Sequence, residues 1–239
     1  MTTTMVTVLA AVVAGLLGLL APRLVAALPE PQLDESAEDE DPKPPYTEVA
    51  RRRGLVLGAT PASAALAALL VVVLDTDPWL WALVPLVPVC VTLAVVDWHT
   101  RLLPSRIVLP ATAYAVAVAL VLWVISGDHD DLLRAGIGLV VVRSLYWLMW
   151  RIHSAGMGFG DVRLAALVGF ALGHVGWSEL VVGVYSGFLV FGVPGVLLAL
   201  VTWDRRLLKA AYPFGPFMLV GAVVGLLWGE PVLARLVGG

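Results

Sequence analysis

The chain has 239 residues, 60% of them hydrophobic and 14% charged, with a mean hydropathy of +0.92 and a formal net charge of −3. Such values exclude an ordinary soluble domain. A single cysteine, Cys90, excludes an internal disulfide framework and a cysteine zinc cluster.

The apolar runs are continuous and close to the roughly 20 residues a helix needs to cross hydrocarbon, whereas a β-barrel needs alternating segments of about 10. The expected fold class is therefore all-α, a polytopic transmembrane bundle of about eight helices. The first run, 5–27, follows "MTTTM", which lacks the basic start of a cleavable signal peptide, so it is expected to remain as a membrane helix. Next comes "PEPQLDESAEDEDPKPPYTEVARRR", acidic in its middle, proline-rich and basic at its end. It reads as a flexible cytoplasmic segment, its acids a solvated tether and its arginines a topology anchor. Further helices are expected over 55–74, 78–96, 106–125, 135–150, 161–175, 177–201 and 214–236. This divides the chain into 1–54, an N-terminal helix with its loop, and 55–239, a membrane core.

Lys and Arg set orientation. Twelve of the fifteen fall in the loops after helices one, three, five and seven, from Arg23 and Arg51–Arg53 through Arg101, Arg106, Arg151 and Arg163 to Lys209. The opposite side carries Arg134 and Arg235 among acidic turns such as "GDHDD". By the positive-inside rule both termini are extracytoplasmic. Arg143 falls inside helix five, to face the bundle interior or snorkel. Tryptophans 79, 81, 98, 150, 177 and 203 lie near helix boundaries and read as interfacial anchors. Pro104, Pro110, Pro213 and Pro216 read as shaping loops and helix ends. The bilayer is the expected surroundings, and no run has nucleic-acid-binding character.

Most acids sit in loops. Asp97, ending helix three in "LAVVDWHTRLLPSRIVLP", and Asp161, opening helix six in "GMGFGDVRLAAL", sit instead at the hydrocarbon edge on one side of the membrane. A carboxylate there costs free energy unless hydrated, paired or neutralised, which marks both as functional candidates. Asp161 has a plainer reading as a helix N-cap, whereas Asp97 at a helix C-terminus has the wrong sign for the dipole. Gly156, Gly158 and Gly160, just before Asp161, indicate backbone that passes something closely. His99 reads as a headgroup-level residue rather than a partner of Asp97.

At these residues the sequence resembles the type IV prepilin peptidases, membrane aspartic peptidases of the GxGD type. Asp97 with its downstream "LLP" resembles the family's first aspartate, "GMGFGDVRLAALVG" its Gly-x-Gly-Asp motif, and "PFGPFMLVGA" at 213–222 its C-terminal proline-glycine signature. The resemblance implies Asp97 and Asp161 as the catalytic pair, Gly158 and Gly160 as supporting glycines, and Arg163, where the family usually shows lysine, as an auxiliary residue. It implies cleavage of the short basic leader of a type IV or Flp-like prepilin or pseudopilin, after glycine and just before an apolar helix, with no metal or organic cofactor. Many members carry paired Cys-x-x-Cys motifs in the first cytoplasmic loop and this chain has none, a departure that bears on the family's second activity, N-methylation of the new terminus.

If helices three and six meet at their cytoplasmic ends, the two carboxyls share a proton, one activating water and the other polarising the scissile carbonyl. Three other readings compete: a transporter or channel using the two aspartates as a proton or cation site, which predicts acids at mid-membrane and inverted repeats, a catalytically silent assembly subunit, and a different GxGD intramembrane protease.

Overall fold

A computed structural model describes residues 2–30, 44–75, 77–152, 157–202 and 213–237. Gly156, Trp203 and the acidic block of the first loop lie outside the described residues. The elements are α1 (Thr3–Gly18), α2 (Ala21–Ala26), α3 (Tyr46–Arg51), α4 (Arg53–Leu74), α5 (Pro78–Thr100), α6 (Ser105–Ser126), α7 (Asp130–Ile152), α8 (Phe159–Val175), α9 (Trp177–Thr202) and α10 (Gly215–Val237). No strand occurs among the described residues. Each of the eight expected helices is present. Among the described residues, six stretches are long and apolar enough to cross a membrane: Thr3–Ala26, Arg53–Leu74, Pro78–Thr100, Ser105–Ser126, Asp130–Ile152 and Gly215–Leu236. The protein is a multi-pass helical membrane bundle.

The boundaries follow local chemistry. Asp77 caps α5, its Oδ1 accepting the Trp79 N–H at 2.7 Å, and Pro78 opens the helix where no amide is needed. Arg101 ends α5 in the left-handed region, φ 54°, and Gly127 ends α6 at φ 72°. Two departures from expectation concern the N-terminal part. The first helix breaks at Leu19 and Leu20, with Pro22 in the first turn of α2. The loop expected to be irregular ends in a short helix, α3, with Val49 and Tyr46 buried. Glu30 supplies the cap, its carboxylate accepting the N–H groups of Tyr46 at 2.7 Å and Thr47 at 3.0 Å.

Burial raises the Glu30 carboxyl, but the amides of Thr47 and Tyr46 and the Thr47 hydroxyl outweigh it and hold the group below its ordinary 4.5. The cap is therefore intact above that value and lost as pH falls through the lowered one. Glu30→Gln is expected to expose Arg51–Arg53 to limited trypsin digestion at pH 7 while leaving α4 protected. Equal digestion of variant and wild type would show that the carboxylate does not hold α3.

Helix pairs meet through absent side chains, as membrane bundles do in place of hydrophobic attraction. The α7–α8 contact places Gly138 against Gly169, where a Cβ on Gly169 would lie 2.5 Å from the Gly138 carbonyl oxygen. The α9–α10 contact sets Gly183 and Gly187 against Gly221 and Gly225, and a Cβ on Gly221 would run into the backbone of Gly187 and Gly183. Overpacking of this kind costs about 1–3 kcal/mol, so Gly221→Ala is expected to lower Tm in detergent by about 5 °C. An unchanged Tm would mean the two helices separate freely.

Far from the residue 97–104 turn, Arg134 on α7 ties down the end of α8. Its Nε donates to the Gly173 carbonyl at 2.7 Å and its Nη2 to the carbonyls of His174 at 2.6 Å and Val175 at 3.1 Å, and it pairs with Asp131 at 2.6 Å. These are the carbonyls a helix C-terminus leaves without partners, met by a positive charge of the favourable sign. Trp79 is here too, and it corrects the anchor reading. It is 1% exposed, stacked on the His174 ring at 3.9 Å, with its indole N–H on the Ala171 carbonyl. Burial is possible because both the ring and its N–H find partners inside the bundle. Trp81, Trp98 and Trp177 do lie exposed. Pro110 is not at a loop or helix end but inside α6, while Pro104 caps α6 as expected. Arg143 is exposed on the outside of α7 and does not face the bundle interior.

Candidate active site

The contact between Trp79, at the start of α5, and Ala171 and His174, near the end of α8, fixes these helices as antiparallel. Antiparallel packing puts the last turn of α5 and the first turn of α8 at the same end of the bundle. Asp97 is three residues before the end of α5, and Asp161 is the third residue of α8. Both are buried, 4% and 6% exposed. The acids sit near helix ends and not at mid-helix, where a transporter site was expected.

Asp97 does not quite end its helix, as the sequence suggested, because α5 runs one turn further, to Thr100. The Thr100 hydroxyl donates to the Val96 carbonyl and accepts the Leu102 N–H, and Arg101 turns the chain back with its N–H on the Asp97 carbonyl at 2.7 Å. That reversal carries Leu103 inward. Leu103, 8% exposed, touches both Gly160 and Gly215, so one side chain lies between the neighbour of Asp161 and the residue that holds Asp97.

Each carboxylate is held by a glycine amide. Gly215 donates its N–H to Asp97 Oδ2 at 2.9 Å, and Gly158 donates to Asp161 Oδ2 at 3.0 Å. The first bond joins α10 to α5. The second is the reach-back half of a helix cap, with Gly158 at the N-cap position and Asp161 at the third helical residue. The capping reading of Asp161 is thus correct for one oxygen. It does not account for the other: Asp161 Oδ1 is buried and has no hydrogen-bond partner among the described residues. An unpaired buried polar atom costs about 1–3 kcal/mol, more if charged. The cap uses only the other oxygen.

An aromatic cluster fixes Gly215. Phe214, 6% exposed, lies 5.8 Å from the Tyr146 ring, 5.4 Å from Phe188 and 4.9 Å from Phe191. Phe217 links Phe191 at 5.3 Å to Trp98 at 6.3 Å. None of Leu103, Gly215, Phe214 and Tyr146 was singled out from sequence as a site residue. The available signals were the "LLP" after Asp97 and the "PFGPF" string, which mark the segments but not their contacts.

The remaining candidates fall as follows. Gly160 passes Leu103 so closely that a Cβ would lie 2.7 Å from Leu103 Cβ, whereas a Cβ on Gly158 would make only ordinary contact, 3.5 Å from Asp161 Oδ2. Arg163 directs its guanidinium to the Ser105 hydroxyl and over the Phe159 ring at 4.9 Å, tying the start of α8 to the start of α6. His99 gives its Nδ1–H to the Val95 carbonyl at 2.8 Å.

Fold and site together define a polytopic helical membrane protein with two buried carboxylates at one end of the bundle. The type IV leader peptidase family model matches residues 84–203, and the chain belongs to that family. It is similar to the prepilin leader peptidase/N-methyltransferase of Pseudomonas putida, 32% identical over 154 residues that make up 64% of this chain and 51% of that protein. The proteins of the same description from Aeromonas hydrophila and Escherichia coli K12 are each 30% identical, covering 60% and 56% of this chain and 48% and 57% of theirs. The chain spans about half the length of the curated relatives it matches. No solved structure matches it significantly.

Proposed function

We propose that this protein is an aspartic endopeptidase of the cytoplasmic membrane. It removes the short basic leader of a type IV or Flp-like prepilin or pseudopilin at the cytoplasmic face, with Asp97 and Asp161 as its catalytic pair. The observation that carries this reading is the pair itself: two buried acids from antiparallel helices, each held through Oδ2 by a glycine amide, with Asp161 Oδ1 unpaired among the described residues.

Two neighbouring carboxyls in a partly dry site share a proton. The ionised member takes a proton from water as that water attacks the scissile carbonyl, and the protonated member donates to the carbonyl oxygen. On collapse the amine leaves with a proton and the pair returns to its starting state. The roles belong to the pair. Gly158 and Gly160 support Asp161, and Arg163 acts by tying α8 to α6. The proposal covers the peptidase reaction alone.

The test uses membranes containing the full chain and a synthetic prepilin, a lysine-containing leader ending in glycine followed by about 20 apolar residues. Cleavage after the glycine, found by N-terminal sequencing of the product, is the expected result. An uncut probe would overturn the reading. Orientation is tested separately. α10 runs away from the site, so an alkaline phosphatase fused after Gly239 is expected to be active and a green fluorescent protein fused there dark. The reverse pattern would put the site on the other face.

A further inference from the structure

An apolar groove of about 650 Å³ lies between α4, α5, α8 and α10. Along α5 its lining runs from Leu83 to His99, and along α10 from Pro216 to Trp228, so it extends over most of both helices. At the site end it is formed by α5 and α10 alone, with Trp98, His99 and Pro216 at its mouth; α4 and α8 join further down. The lining contains no Asp, Glu, Lys or Arg.

The groove is continuous with the site in register as well as position. Cys90 and Leu83 lie one and two heptads before Asp97 on α5, and Val168 lies one heptad after Asp161 on α8, so each acid shares a helix face with groove-lining residues. Pro216, at the mouth, directly follows the glycine that holds Asp97. Asp97 and Asp161 do not themselves line the groove; its mouth, at Trp98 and Pro216, adjoins Asp97 and Gly215 along the chain. Its span on α5, from Leu83 to His99, is about 24 Å at 1.5 Å per residue.

We propose that this groove seats the membrane helix of the substrate, one stripe of apolar side chains in the groove and the opposite face in lipid, with the leader junction delivered to Asp97 and Asp161. This rests on the peptidase reading. Depth then sets register. Cys90 is seven residues, about 10.5 Å, below Asp97 along α5, so a substrate residue about seven positions after the cleaved bond sits level with it.

The chain's one cysteine makes the test direct. The synthetic prepilin, carrying single cysteines at each of positions 3 to 14 after the cleaved glycine, is oxidised in membranes with the Asp161→Asn protein. Disulfides to Cys90 are expected to peak near position 7 with helical periodicity and to vanish in Cys90→Ala. In the otherwise wild-type enzyme, Leu219→Trp, which fills the groove, is expected to raise KM at least tenfold with kcat within twofold, while a short leader peptide without the helix is cut as before. Its Tm checks that the variant is folded.

Cleavage with no position-dependent disulfide, or an unchanged KM in folded Leu219→Trp, overturns the groove and leaves the peptidase reading standing. So does a photoactivatable phospholipid that labels the groove equally with and without the probe. A disulfide peak near position 7 without cleavage by the wild type supports the groove and overturns the peptidase reading.

Discussion

Asp97→Asn and Asp161→Asn are each expected to lower kcat for leader cleavage by about 10³-fold or more, the upper part of the range for a positioned acid or base, with Tm unchanged or raised. The carbonyl oxygen of asparagine can still accept the N–H from Gly215 or Gly158, so the links from α10 to α5 and within the first turn of α8 survive. What is lost is the group that takes or gives a proton. Stability is expected to hold or rise because Asp161 keeps a buried carboxylate oxygen without a hydrogen-bond partner among the described residues. Because the pair acts as one unit, Asp97→Asn with Asp161→Asn is expected to be no slower than either single variant. The measurements are kcat on the synthetic prepilin and Tm in the same detergent. A single variant retaining a tenth of wild-type activity would sink the dyad, and multiplicative losses in the double variant would mean two acids acting separately.

The helices and the two acids were readable in the sequence because both depend on local or one-dimensional properties. A run near the length of a membrane crossing, ended by a charged turn, declares itself, and positive charge on alternate loops placed Asp97 and Asp161 at one end before any contact was known. What was not legible depended on partners distant in the chain. Trp79 resembles a boundary anchor until His174 and Ala171, more than ninety residues away, are seen to accept its ring and its N–H. Pro110 reads as a boundary because proline disfavours helix interiors, yet α6 continues through it. The short helix α3 was hidden because its cap, Glu30, lies sixteen residues before Tyr46, beyond the reach of any capping pattern. The same holds in the site: "GFGD" marks Asp161, but nothing near it says that Gly160 must clear Leu103 or that Gly215 holds Asp97 from 118 residues away.

Those contacts separate two glycines that look equivalent in the motif. Gly160→Ala is expected to reduce kcat about 10²-fold, the scale of a misplacement of roughly 1 Å at a reacting group, with a smaller effect on Tm. Gly158→Ala is expected to stay within about threefold of wild type, because its φ of −73° suits any residue and its Cβ would meet Asp161 Oδ2 only at ordinary contact distance. On Gly160 a Cβ would lie 2.7 Å from Leu103 Cβ and 3.2 Å from its carbonyl oxygen, neither of them the end of a flexible side chain. The start of α8 must then move off the 101–104 turn, carrying Asp161 away from Asp97. Leu103→Gly removes the closer of the two obstacles. Alone it costs about 2–5 kcal/mol as a large-to-small change at a buried leucine. Combined with Gly160→Ala it is expected to recover at least tenfold of the lost kcat even though the double variant melts lower than Gly160→Ala alone. Activity rising while stability falls is a signature that a general weakening of the bundle cannot produce. A double variant no more active than Gly160→Ala would show that the glycine is needed for something other than clearing Leu103.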